Sequence, residues 1–174
     1  MEQEQTAERM QLESQLQSGA GWFIWIAGLS LVTSILWHVG SGMGFIFGLG
    51  ITQVIDAIAM GVSEEASNPA ITYIALVIDV VIAGVFALFG VFAKKKQQWA
   101  FIVGMLLYVL DALIFLLVKD FLSLGVHAFA LFCIFKGFKA CRELGRMSDN
   151  EITDVLVAET YLPLEQADDN IYSQ

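Results

Sequence analysis

The sequence predicts an all-α polytopic membrane protein, a bundle of four transmembrane helices with one further apolar segment. Of its 174 residues, 57% are hydrophobic, and the mean hydropathy is +0.68. A soluble domain of this size would be less apolar. The apolar residues also form continuous runs, each about as long as a helix needs to cross a ~30 Å hydrocarbon layer at ~1.5 Å per residue. Basic residues stand between or after these runs, as expected of the polar ends of spans.

The chain begins with a polar stretch, residues 1–19, which holds four glutamates against the single Arg9. We expect a polar tail or a surface helix there. The first span is predicted at residues 20–39. Trp22 and Trp37 lie near its two ends, where aromatic side chains favour the membrane–water boundary.

Residues 40–62 are ambiguous, because five glycines crowd the first half and Gln53 and Asp56 mark the second. Such polar residues near a helix centre each cost about 2–3 kcal/mol on insertion scales. The glycines weaken a helix further. We favour a re-entrant or interfacial helix, and the alternative is a fifth span.

Three further spans are predicted at residues 70–93, 98–118 and 121–138. Pro69 stands at the start of the first of them, where its missing N–H costs nothing. Three lysines separate the first and second of these spans, and Lys119 lies in the short turn before the last. The membrane domain as a whole is predicted to cover residues 20–146.

The remaining segment, residues 147–174, is an acidic tail with seven acids from position 148 onward and no lysine or arginine. The net charge of the chain is −9. We therefore do not expect nucleic acid as a partner, since phosphate binding needs a basic surface. The expected partners are membrane lipid and either other membrane subunits or further copies of the chain.

Orientation follows from the basic residues. Lys94, Lys95 and Lys96 lie at the same end of the bundle as the four basic residues after residue 135, and Lys119 is alone at the other end. We expect the larger set, and with it the C-terminus, in the cytosol, in an inner or plasma membrane. Four spans place the N-terminus in the cytosol too, whereas five would place it outside.

Ionisable residues inside the apolar runs are the candidate site. Asp79, Asp111 and His127 fall at similar depths when the spans are laid side by side, and Asp56 can reach the same level. An isolated charge there is expensive, so each must be paired, hydrated or protonated. One interpretation is an intramembrane cation or proton site, in which the imidazole would also suit a transition metal.

The other interpretation is helix packing, because small residues share faces with these aspartates and small faces with one polar group hold helices together in lipid. A protonated aspartate bonded to a neighbouring helix, or to Tyr108, would then be structural. The small residues assigned to packing are Gly40, Gly44, Gly48, Ala75, Ala83, Ala87 and Gly104.

Two main functions remain open. The first is an accessory or self-associating subunit of a membrane assembly, and the alternative is a proton or cation channel or transporter. No metalloprotease, nucleophile-elbow or phosphate-loop motif is present, so an enzyme is not predicted. A membrane-embedded hydrolase using an Asp/His pair is a minor alternative. The sequence names no cofactor.

Overall fold

A computed structural model describes residues 2–38, 48–68 and 70–172, with the side chains of 3–36, 48–68, 70–157 and 159. The described residues form five helices and no strand, which confirms the predicted all-helical fold. The helices are α1 (Glu2–His38), α2 (Gly50–Ala66), α3 (Ala70–Lys94), α4 (Gln98–Leu117) and α5 (Phe121–Tyr172).

Four of these helices, α1, α3, α4 and α5, are long and apolar enough to cross a membrane. The predicted membrane location is confirmed at this level. Their lipid-facing sides carry exposed valine, isoleucine, leucine and phenylalanine, as a bundle in hydrocarbon requires. The fifth helix, α2, has 17 residues and is not among the four.

Both terminal helices continue beyond the apolar zone. The polar N-terminal stretch is the first part of α1, and α5 continues through the acidic segment as far as Tyr172. The two extensions lie side by side, since Arg9 of α1 forms an ion pair of 2.6 Å with Glu151 of α5. Leu16 and Leu144 are buried in the same region.

The helix α2, of 17 residues, begins inside the bundle. The backbone N–H of Gly50 donates a hydrogen bond to Asp111, six residues before the end of α4. At its other end Ser67, in the left-handed conformation, closes α2, and α3 begins at Ala70. Within the described residues, α2 therefore runs from the interior to one end of the bundle. Residues 40–47 lie outside the described residues, so the re-entrant or interfacial helix predicted for 40–62 and its alternative, a fifth span, both stay predictions.

Small residues set the closest helix contacts. A Cβ added to Gly137 of α5 would lie 2.7 Å from the Cα of Gly19 on α1, so these two backbones cross with no room for a side chain. A Cβ on Gly104 of α4 would lie 2.5 Å from the ring of Phe23, which is fully buried.

The other residues assigned to packing divide into three groups. Ala75 and Ala83 are buried, and Ala87 is half-buried against the core. Gly48 is buried beside Thr33. Gly40 and Gly44 lie outside the described residues.

Candidate functional site

Buried polar side chains collect in the part of the bundle away from Lys94–Lys96, and we call this set the polar core. Asp79 lies 15 residues from Lys94 along α3, or about 22 Å. Polar groups are placed in the interior of a spanning bundle only where they are paired, hydrated or used. The described members of the polar core are Ser30, Thr33, Ser34, Thr52, Asp56, Asp79, Asp111, Ser123 and His127.

Asp111 of α4 caps the buried start of α2. Its Oδ2 accepts a hydrogen bond from the backbone N–H of Gly50, and its Oδ1 accepts one from Ile51, each at 2.9 Å. The first N–H groups of a helix have no partner within the helix, and the helix dipole is positive there. A carboxylate supplied by a neighbouring helix therefore satisfies both donors, and its negative charge is favoured at this position.

His127 of α5 completes the coordination of the same carboxylate. Its Nδ1 lies 2.8 Å from the carbonyl oxygen of Ser123, and its Nε2 lies 3.0 Å from Oδ2 of Asp111. A carbonyl only accepts, so Nδ1 carries a proton. A second proton must lie between Nε2 and Oδ2, because two lone pairs would otherwise face each other. Hydrogen bonds from Gly50, Ile51 and His127 thus converge on this one carboxyl group.

Aromatic rings enclose this imidazole. The ring of Tyr108 stacks on His127 with centroids 4.5 Å apart and an angle of 19° between the planes. The ring of Phe115 lies on it at 4.7 Å, and His127 itself is fully buried. Stacked and tilted ring contacts of this kind stabilise the packed arrangement beyond the burial of the rings. Tyr108 thus supports His127 by stacking.

The start of α5 is fixed by Asp120. Its Oδ1 accepts from the backbone N–H groups of Leu122 and Ser123, each at 3.2 Å, and its Oδ2 accepts from the Ser123 hydroxyl at 2.6 Å. The Ser123 hydroxyl, followed by these backbone donors, holds the pKa of the Asp120 carboxyl below its usual range. The carbonyl of Ser123 in turn positions His127. Ser123 therefore connects the Asp120 cap at the start of α5 with the buried pair of Asp111 and His127.

Hydroxyl groups of α1 contact the neighbouring helices. Ser34 donates a hydrogen bond of 2.8 Å to Oδ2 of Asp79 on α3. Thr52 of α2 gives its own proton to the carbonyl of Leu49, so Ser30 donates to Thr52 across 3.0 Å. These two contacts attach α1 to α3 and α2.

Asp56 of α2 differs from the other acids. It is 2% exposed, and neither carboxylate oxygen has a hydrogen-bond partner in the described part of the chain. It lies ten residues before the end of α2, while Asp79 lies nine residues after the start of α3. The two helices are joined by a short turn and pack together, so these two positions stand at similar levels in the bundle.

The structure therefore brings together two of the four residues that the sequence singled out, Asp111 and His127. Asp79 accepts a hydrogen bond from Ser34, and Asp56 has no hydrogen-bond partner among the described residues. The described side chains contain no group of three or more histidines, cysteines or acids placed to hold a metal ion.

Sequence reasoning missed the hydroxyl residues. Ser30, Thr33 and Ser34 follow the i, i+3, i+4 pattern of one helix face inside an apolar run, and that pattern was the available signal. The role of Ser123, which acts through its carbonyl as well as its hydroxyl, left no such signal.

Comparison with protein-family models, with curated proteins and with solved structures found no match to this chain.

Proposed function

We propose that the protein moves protons or small cations across the membrane through its polar core. The observation that carries this proposal is Asp56, a buried carboxyl group with no hydrogen-bond partner among the described residues. Ionisable groups inside spanning bundles mark proton and ion pathways. Within the described part of the chain, Asp56 is the member of the polar core whose two carboxyl oxygens both lack a hydrogen-bond partner.

The chemistry of an unpaired buried carboxyl group supports this role. Its ionised form is strongly unfavourable away from water, so the group either keeps a proton or holds a cation. Asp111 is occupied by two helix donors and His127, and Asp79 accepts from Ser34. Asp56 is therefore the acid that takes up and releases the proton or cation. Asp79 and Asp111 hold together the helices that surround it.

We further propose that the Lys94 end of the bundle faces the cytosol, in an inner or plasma membrane. The basic residues concentrate at that end, and basic residues remain on the cytosolic side. Since α1 and α5 both extend beyond the bundle at that end, the two termini are then cytosolic. Labelling of single cysteines at positions 95 and 119 in intact cells tests this orientation.

Ion flux in proteoliposomes tests the function. A pH-sensitive dye inside the vesicles reports proton entry under an imposed potential, and parallel runs use Na⁺ and K⁺ gradients. We expect Asp56→Asn to remove at least nine-tenths of the flux, because the amide neither takes up a proton nor balances a cation. Asp154→Asn, which changes an exposed acid on α5, is the matched control.

Equal flux through the wild type and Asp56→Asn would overturn the proposal, and so would the absence of flux in the wild type. Both proteins must elute as one species of the same size, so that loss of flux is not loss of fold.

A second function, membership of a larger membrane assembly, is favoured by a separate observation. Beyond the bundle, α5 exposes Ile152, Val155 and Leu156, which are between 54% and 56% accessible. Their i, i+3, i+4 spacing places them on one helix face, as in helices that bind a partner helix. The mass of the particle extracted in mild detergent tests this, and a lone monomer from native membranes would refute it.

A further inference from the structure

We propose that a groove between α1 and α5 at the Lys94 end of the bundle binds the headgroup of an anionic phospholipid. The groove has a volume of about 430 Å³, and it is lined by Leu12 and Gln15 of α1 and by Phe135, Phe138, Lys139 and Arg142 of α5, with Ala140 and Glu143 beside them. This inference is independent of the proposed ion pathway, because no residue of the polar core takes part.

The level of the groove matches the boundary of the membrane. Gln17 of α1 donates a side-chain hydrogen bond to the carbonyl of Lys94, so these two residues stand at one height. Gly19 crosses Gly137, and α1 and α5 run in opposite directions. Lys139, two residues beyond this crossing, therefore lies at the height of Gln17, where the apolar run of α3 gives way to lysines. Lipid headgroups occupy this level.

The charge in the groove suits a phosphate. Neither Lys139 nor Arg142 has an acidic partner at ion-pair distance among the described residues, whereas the nearby Glu143 is already paired with Arg146. Arginine and lysine both bind phosphate, arginine with two parallel hydrogen bonds. The groove thus offers two unpaired cations on adjacent turns of one helix.

The apolar side of the groove suits acyl chains. The Nζ of Lys139 lies 5.0 Å from the centre of the Phe135 ring, and the Nζ of Lys136 lies 6.0 Å from that of Phe132. Phe132 and Phe135 are 60% and 44% exposed on the same face. In a phospholipid the phosphate lies on the water side of the acyl chains. The cationic side chains lie in the same way on the water side of the exposed aromatic rings, so they can contact the phosphate while the rings contact the chains. A soluble acidic protein would match the cations and leave these rings without a partner.

The test compares lipid binding to the intact protein by native mass spectrometry. The detergent-solubilised chain is titrated with phosphatidylglycerol or with phosphatidylcholine carrying the same acyl chains. We expect the wild type to prefer phosphatidylglycerol. The double substitution Lys139→Gln, Arg142→Gln should weaken phosphatidylglycerol binding about 100-fold, because each substitution removes a direct hydrogen bond between charged groups, which contributes about tenfold.

The matched control is Lys94→Gln, Lys95→Gln, which removes the same charge from the same end of the bundle outside the groove, and we expect a change of less than twofold. An equal loss in this control would overturn the proposal, as would equal binding of the two lipids. Displacement of the lipid by inorganic phosphate or by a soluble acidic peptide would overturn it too. Should the double variant unfold, each single substitution must still give about a tenfold loss.

Discussion

Replacing Asp111 by alanine tests whether the polar core holds α2 in place. The substitution removes the acceptor of three hydrogen bonds, from Gly50, Ile51 and His127. It leaves two helix N–H groups and one imidazole nitrogen without a partner inside the bundle. The side chain of Asp111 is buried and small, so the change removes little apolar contact and reports mainly on these bonds.

The magnitude follows from the number of bonds. Hydrogen bonds between helices in lipid contribute about 0.6 kcal/mol on average and at most about 1.7, so three of them contribute about 2–5 kcal/mol. Asparagine at the same position keeps one acceptor oxygen, and its amide donates to the unprotonated Nε2 of His127. One N–H of α2 then stays unpaired, at a cost of about 1–3 kcal/mol. We therefore expect Asp111→Ala to be the more destabilising of the two.

Two measurements check this expectation. The free energy of unfolding is obtained by titrating the protein in mixed micelles with a denaturing detergent. Amide hydrogen exchange of the segment that begins at Gly50 reports on α2 directly, and protection there should fall more than in α3. Asp154→Ala, in an exposed part of α5, is the control and should change neither quantity.

The reasoning would be refuted if Asp111→Ala unfolded within about 0.5 kcal/mol of the wild type, the range of ordinary surface substitutions, with protection of α2 unchanged. A uniform loss of protection in all five helices would also count against a specific role for Asp111 at the start of α2.

Two further predictions concern other parts of the chain. Gly137→Ala should lower the free energy of unfolding, because the added Cβ would lie 2.7 Å from the Cα of Gly19. Gly84→Ala, where nothing lies within 4 Å of the added Cβ, should raise the free energy of unfolding by up to about 1 kcal/mol. Equal effects of the two substitutions on unfolding in detergent would contradict this prediction. Asp120 should titrate below the usual carboxyl pKa of 3.8 in carbon-detected NMR, and Ser123→Ala should raise that pKa. Because the pKa of Asp120 is depressed in the folded state, its contribution to stability is present above the unfolded pKa and lost as the pH falls through the folded one.

The all-helical fold could be predicted from the sequence because span-length apolar runs leave few alternatives in lipid. The proximity of Asp111 and His127 also followed from their depths, since both lie a few residues from the short turn that joins α4 and α5. Such a turn places the two helices next to each other and in opposite directions.

The start of α2 could not be predicted in the same way. Its position at Asp111 depends on contacts between residues 60 or more apart in the chain, and hydrophobicity carries no information about them. The pairing of Ser34 with Asp79 has the same origin, since hydroxyls in an apolar run barely change its hydropathy. For residues 1–19 the sequence left a polar tail and a surface helix both open, because the two have similar compositions, and for the same reason the helical course of residues 147–172 was predicted only as an acidic tail.

The unbroken length of α1 has a structural consequence. A helix of 37 residues is a stiff rod of about 56 Å. Its close backbone contact with α5, Gly19 against Gly137, lies ten residues from Arg9 and fifteen from Ser34. Arg9 pairs with Glu151 outside the apolar zone, and Ser34 donates to Asp79 inside it. The two contacts lie about 38 Å apart along one continuous helix at ~1.5 Å per residue, so a single element joins the polar extension to the polar core.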